Sequence, residues 1–269
     1  MGWFASDGIN AGQYGTVSYS FIRVNDDGVK PFYSGSEFKN LVIWQMKNGW
    51  AIMLAWTTEG EQDGIYVHDI SILHDDHSEC TDPGFVGCDY AVAPPDNPPP
   101  NYIETSSQAT IGADQGGGGK ITNVLVKDVT VETKAYRPFF LGVQENYWGD
   151  SGTGILDTWT FENIAFWEDP MTTSKILGGP MNWYQVNNIK FINVRYDDQE
   201  PLKEPWDANY FDYTLRDVGS IFFCPNESCP SFGGTKTEKK AKARKSKKGK
   251  VSKGDKMGKK KKKEDTLRN

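Results

Sequence analysis

No stretch of this 269-residue chain approaches the roughly twenty consecutive apolar residues that a membrane-spanning helix needs, so no helical membrane span is expected. No segment carries apolar residues at the i, i+3, i+4, i+7 spacing of an amphipathic helix, which sets helical classes aside. Cysteine is scarce, with four residues in two local pairs, Cys80 with Cys88 and Cys224 with Cys229. Both pairs sit in Pro- or Gly-containing loops. Neither has the C-x2-C spacing, and no His is interleaved, which disfavours zinc. Two short-loop disulfides and an oxidising compartment are the expectation. The sequon Asn226-Glu227-Ser228 fits an extracellular, secreted protein. The calcium register D-x-D-x-D-G, with a Glu twelve residues after its start, is also missing. No metal and no cofactor are expected. The first residues show no basic n-region or apolar h-region, so a secretion leader is expected upstream of this sequence. Met1-Gly2 with Ser6 matches a loose myristoylation pattern, which we read as accidental.

What the chain has is aromatic residues and a split charge. Nine Trp, twelve Tyr and fourteen Phe supply material for a core and for stacking against sugar rings. Residues 234–269 hold 17 Lys/Arg against 4 Asp/Glu, a net +13, while residues 1–233 hold 13 against 32, a net −19. So acidic a body argues against nucleic acid as a partner. The tail 234–269 reads as a disordered like-charge block suited to an anionic polymer or surface. Residues 1–233 are long enough for one large domain.

One phrase, apolar-x-(Asn/Asp)-apolar-x-apolar, recurs. It is seen at Phe38–Ile43, Val67–Ile72, Val126–Val131, Phe161–Phe166 and Phe191–Tyr196. Its Asn/Asp positions, 40, 69, 128, 163 and 193, step by 29, 59, 35 and 30 residues. The step of 59 is about twice the unit and contains a Pro/Gly-rich insertion at 80–119, read as a loop beside a cleft. Alternation at period 2 and β-branched residues make these strands. A fixed period of 20–35 residues implies stacked coils, as in a right-handed parallel β-helix, with the Asn/Asp at one corner. A β-sandwich competes, but it gives no reason for one repeated phrase.

Chemistry concentrates near the N-terminus. Asp26-Asp27 precede Gly28, and Asp7 lies 19 residues before Asp26, close to one short coil. Stacked coils rise by about 4.8 Å, which brings Asp7 beside the pair. Adjacent carboxylates raise one another's pKa. Asp26 and Asp27 can share one cleft only if the chain bends there, which Gly28 permits. Asp-Asp-Gly is also an ordinary turn. Three such groups can protonate a leaving oxygen and hold a water, the equipment of an inverting glycoside hydrolase.

Trp3-Phe4-Ala5-Ser6-Asp7-Gly8, Val24-Asn25-Asp26-Asp27-Gly28-Val29-Lys30-Pro31-Phe32-Tyr33-Ser34, Val42-Ile43-Trp44, Asn48-Gly49, Ala55-Trp56 and Ile72-Leu73-His74 together resemble glycoside hydrolase family 49, the dextranases and isopullulanases. The likeness is specific over residues 3–77 and general beyond. The three-Asp arrangement is shared with polygalacturonases, whose Gly-His-Gly and Arg-Ile-Lys are not present. The resemblance implies a right-handed parallel β-helix and endo-acting, inverting hydrolysis of α-glucan. Asp26 falls on the general acid, and Asp7 and Asp27 on the carboxylates that activate the water. About 6.5–9.5 Å is expected between acid and base. Asn25, Lys30, Tyr33, Trp56 and His74 are candidate substrate-binding residues, Lys30 through a substrate hydroxyl or by orienting an Asp. The family carries an N-terminal β-domain and several coils before the Asp7 motif, so this chain reads as N-terminally truncated. A catalytically impaired carbohydrate-binding or wall-associated β-helix is the alternative. A polysaccharide lyase on the same fold is a third reading, disfavoured by the acidic cleft.

Overall fold

The computed structural model describes residues 7–46, 48–75, 108–144, 152–179, 185–197, 199–203, 211–214, 218–226 and 228–232. The described residues are strands, turns and connecting segments, with no helix among them. The strands are β1 (Thr16–Val24), β2 (Glu37–Gln45), β3 (Ile52–Ala55), β4 (Glu61–Asp75), β5 (Ile111–Gln115), β6 (Lys120–Val131), β7 (Phe139–Val143), β8 (Ile155–Phe166), β9 (Ser174–Leu177), β10 (Val186–Tyr196), β11 (Phe211–Thr214) and β12 (Ile221–Cys224). All belong to the unit formed by residues 1–230. Of the second unit, 231–269, only Ser231 and Phe232 are described. The Lys-rich segment and the Cys80–Cys88 pair lie outside the described residues. Cys224 and Cys229 form the expected disulfide.

The strands make two parallel sheets. One has the order β1-β2-β4-β6-β8-β10-β12 and the other β11-β9-β7-β5-β3, so from β2 onward the chain alternates between them. Single parallel bridges, Ile9 to Val29 and Val29 to Ile52, carry the five-stranded sheet two levels further, toward the chain start. The core fills the space between the sheets. Phe139 of the smaller sheet meets Phe161, Phe166 and Phe191 of the larger one edge-on, with ring centroids 5.2–5.6 Å apart. Along the stacking direction, Phe161, Phe191 and Phe223 lie face to face, at 5.1 and 4.9 Å.

The repeated phrase has a backbone cause. In a regular strand, residues three apart point to opposite faces. Yet Phe161 and Ile164 are both fully buried, as are Phe191 and Val194. The residue between resolves the parity: Asn40, Asp69, Asp128, Asn163 and Asn193 all have φ of 51–56°, and this left-handed corner turns the next apolar residue back inside. The corners are in register with each other and with Tyr19 (φ 53°). Asn and Asp tolerate this conformation, which costs other L-residues about 1–2 kcal/mol. They also bond along the column: Asn163 Nδ2 donates to Asp128 Oδ1 at 2.9 Å, and Asn193 Nδ2 to Asn163 Oδ1 at 2.8 Å.

A second column lies five residues earlier: Tyr14, Gly35, Gly64, Asn123, Thr158 and Asn188, with φ of 52–73°. The phrase therefore runs twice in tandem. An example is Leu156-x-Thr158-Trp159-x-Phe161-x-Asn163-Ile164-x-Phe166, whose five apolar members are all buried.

Asp69 sits directly beside Asp128, because β4 pairs with β6, so the 59-residue step is one circuit enlarged by the insertion. One expectation is corrected. The insertion read as a loop over 80–119 ends in a strand, since Ile111–Gln115 is β5, buried throughout and paired with β3 and β7.

These corners make a testable stability prediction. Asn163→Ala loses two column hydrogen bonds and places a Cβ residue in the left-handed region, lowering the unfolding free energy by about 2–4 kcal/mol. Asn163→Gly keeps the backbone conformation. In urea unfolding, Gly should be the more stable variant, the reverse of the ordinary order within strands.

Candidate active site

The smaller sheet positions the three carboxylates. Ile9, Val29 and Ile52 bridge in parallel, so the residues two places before them, Asp7, Asp27 and Trp50, form one row. The row is stitched by Gly8 N–H to Asp27 O and Gly28 N–H to Trp50 O, both 2.7 Å. A side chain on Gly8 would place its Cβ 1.9 Å from Gly28 O, so glycine is required for the strands to close to this distance. Between Val24 and Val29 the chain leaves β1 through bends at Asn25, Asp26 and Gly28. That bend brings Asp26 and Asp27 to the same side as Asp7. One oxygen from each of Asp7, Asp26 and Asp27 lies within 4.8 Å of the others.

Four donors hold the cluster. Lys30 Nζ donates to Asp7 Oδ2 at 2.5 Å. The Asp27 N–H donates to Asp26 Oδ1 at 3.0 Å, and the Trp50 N–H to Asp27 Oδ1 at 3.2 Å. The Asn48 side chain also hydrogen-bonds the Asp26 carboxylate. Burial, followed by the charge of Asp7, raises the pKa of Asp26 against the opposing pull of the Asp27 N–H, Lys30 and Asn48. Burial and the adjacent Asp26 push Asp27 further, to about 8, although Lys30 and the Trp50 N–H work against them. Asp27 is not wholly hidden as a residue, but its carboxyl is walled in by protein, and it is the carboxyl that titrates. The arrangement therefore sets two carboxyls of raised pKa beside an exposed, lysine-paired one. A water hydrogen-bonds over about 2.8 Å, so a single water reaches two oxygens separated by this cluster's spacing.

No known family pattern matches the chain. It is 29% identical over 72 residues to a dextranase of Arthrobacter globiformis, covering 27% of this chain and 11% of that protein. It matches a dextranase of Talaromyces minioluteus equally, over 27% of this chain and 12% of the relative. With an isopullulanase of Aspergillus niger it shares 21% identity over 178 residues, 65% of this chain and 28% of the relative. The chain thus spans less than a third of the length of these relatives. The matches support a distant glycoside hydrolase relationship.

The other sequence-selected residues divide. Lys30 joins the cluster through its ion pair with Asp7. Asn25 adjoins Asp26 and is half-buried. His74 is the penultimate residue of β4, stacked on Trp44 with centroids 4.5 Å apart and planes 6° from parallel; its Nδ1 lies 2.7 Å from Gln45 O. Gln45 in turn donates to Asp26 O at 2.7 Å, so His74 is one residue removed from the acidic turn. Tyr33 and Trp56 lie past the ends of the segments that Asp27 and Trp50 begin. Tyr33 is exposed, while Trp56 packs on the apolar cluster of Trp50, Met53, Ala109, Phe140 and Leu177, outside the main core. Sequence reasoning gave no role to Gln45, Asn48, Trp50 or Gln108. The available signal was the segment Asn48-Gly49-Trp50, which follows Asn25-Asp26-Asp27 by 23 residues and occupies the same place one level on.

The raised pKa of Asp27 has a stability consequence. A carboxyl that titrates near 3.8 when unfolded and about 8 when folded keeps its proton in the folded state alone across that interval. Stability from this group is therefore greatest at low pH and is lost as pH rises from about 4 to 8. Asp27→Asn removes the titration. Relative to the parent, the variant should gain stability between pH 5 and pH 8 in urea unfolding, with a larger gain at pH 8.

Proposed function

We propose that this chain is a right-handed parallel β-helix that hydrolyses α-glucan, as an endo-acting, inverting glycosidase of dextran-type α-1,6 linkages. The meeting of Asp7, Asp26 and Asp27 within 4.8 Å beside Lys30 carries the reading. The alternation of strands between two parallel sheets and the two columns of left-handed corners support the β-helix. The Cys224–Cys229 disulfide supports an extracellular setting.

In this mechanism Asp26 gives its proton to the glycosidic oxygen as the bond from that oxygen to the anomeric carbon breaks. A water held between Asp7 and Asp27 forms the new bond to that carbon and gives its proton to Asp7. With a carboxyl raised to about 8, Asp27 keeps its proton at neutral pH, so it orients the water and leaves the base role to Asp7. Lys30 donates to Asp7 Oδ2 and orients that carboxylate for this role. The nearest carboxylate oxygens are closer than the 6.5–9.5 Å or so of the usual inverting spacing, which makes product stereochemistry the discriminating observable. Asn25, Lys30, Tyr33, Trp56 and His74 are the proposed sugar contacts.

The test is reducing-sugar release from dextran and pullulan, with the product anomer read by NMR. The full chain should release inverted product, and Asp26→Asn should lower the rate by about 10²–10⁴-fold. Retained product would overturn the inverting scheme. Binding of α-glucan without release would favour the catalytically impaired, carbohydrate-binding alternative.

A further inference from the structure

The Asn48–Gly49 turn is pressed against the Asp26–Asp27 peptide. Gly49 has φ +74°, and a Cβ there would lie 2.5 Å from Asp26 C and from Asp27 N, and 2.7 Å from Asp26 Oδ1. At this approach the Asn48 side chain bonds the Asp26 carboxylate. An amide has a donor end and an acceptor end, and only the donor end suits a carboxylate. The far end of this amide is fixed, because Asn48 Oδ1 accepts from Gln108 Nε2 at 3.0 Å. Gln108 is itself buried, and its main-chain carbonyl accepts from Arg137 Nη1 at 3.2 Å; Arg137 Nε donates to Thr173 O at 3.1 Å. Gln45, fully buried, donates through Nε2 to the carbonyls of both Asp26 and Asn48, fastening the two turns together.

We propose that Asn48 is the positioning residue of Asp26, with its amide locked in the donating orientation by Gln108 and its turn fastened to Asp26 by Gln45. This rests on the reading of Asp26 as the proton donor. The Asp27 N–H and the Asn48 amide together hold the Asp26 carboxyl in one rotamer and stabilise the carboxylate left after proton delivery. The geometry gives this network a catalytic use beyond packing, since its last link is on the reacting group.

The experiment is a ¹³C-carboxyl NMR titration of Asp26 in the full chain, with the pH profile of kcat/KM on dextran measured alongside. The charged groups around Asp26 are Asp7, Asp27 and Lys30, all unchanged in the variants used. Asn48→Ala removes a bond that favours the ionised form, so the Asp26 midpoint should move up and the matching limb of the pH profile with it. kcat should fall by about 10- to 100-fold with KM little changed. Gln108→Leu, which frees the amide to turn, should move the midpoint the same way with Asn48 present. Asn48→Ser, a shorter donor, should restore part of the shift and covers the case of a poorly folding Ala variant. An unmoved midpoint in folded Asn48→Ala overturns the assignment of Asn48, and an unmoved midpoint in folded Gln108→Leu overturns that of Gln108. The titration needs no substrate. A shift in a chain that hydrolyses no glucan would thus defeat the hydrolase reading while leaving the Asn48–Asp26 contact standing.

Discussion

The left-handed corner is the constraint on which the rest of the structure depends. A strand of period 2 can bury only alternate residues against one surface. By placing one residue at positive φ, the chain resets that alternation and turns apolar residues on both sides of the corner inward. Two corners five residues apart let one long strand wrap a core on successive faces, as Leu156, Trp159, Phe161, Ile164 and Phe166 do on β8. Because the corners fall in register, parallel pairing continues across them from β1 to β10. The side chains of the Asn/Asp column then add hydrogen bonds in the stacking direction, beside those of the backbone.

The same parallel register builds the acidic site. Strand spacing of about 4.8 Å is the distance at which side chains of successive levels meet, so a carboxylate on each of two levels suffices to create strong coupling. Asp7 and Asp27 occupy equivalent places in adjacent segments, and the bend after β1 adds Asp26. Three acidic groups at this spacing repel when all are ionised. The structure offsets that with Lys30 on Asp7, backbone N–H groups on Asp26 and Asp27, and the Asn48 amide on Asp26. The raised pKa values of Asp26 and Asp27 are what remains of the repulsion and burial after those contacts. The proton that Asp27 holds at neutral pH costs stability as pH rises.

Much of this was legible in the sequence, for a specific reason. The Asn/Asp column shows itself because its backbone demand is met by a narrow set of residue types, which makes the repeat visible at 40, 69, 128, 163 and 193. The column five residues earlier has the same backbone demand but meets it with Tyr14, Gly35, Gly64, Asn123, Thr158 and Asn188, and so leaves no single letter to follow. The strand Ile111–Gln115 was hidden in the same way, lying next to Pro- and Gly-rich sequence and marked by no corner residue. The acidic residues stood out by the adjacency of Asp26 and Asp27 and by spacing, since 19–20 residues is close to one short circuit.

The sequence by itself determined the all-β character, the parallel stacking of a repeated unit and the candidate carboxylates, because each depends on local residue preference or on a fixed period along the chain. Tertiary structure decided what depends on which atoms of distant segments come into contact. It placed Lys30 on Asp7, packed Trp56 against an apolar cluster and set Trp50 against Asp27. It also brought Gln108, on the far side of a long insertion, to the amide that holds Asp26. Hydrogen bonds of that kind have no sequence signature, because a glutamine or asparagine side chain acts through the orientation of its amide, and only the packed neighbours fix that orientation.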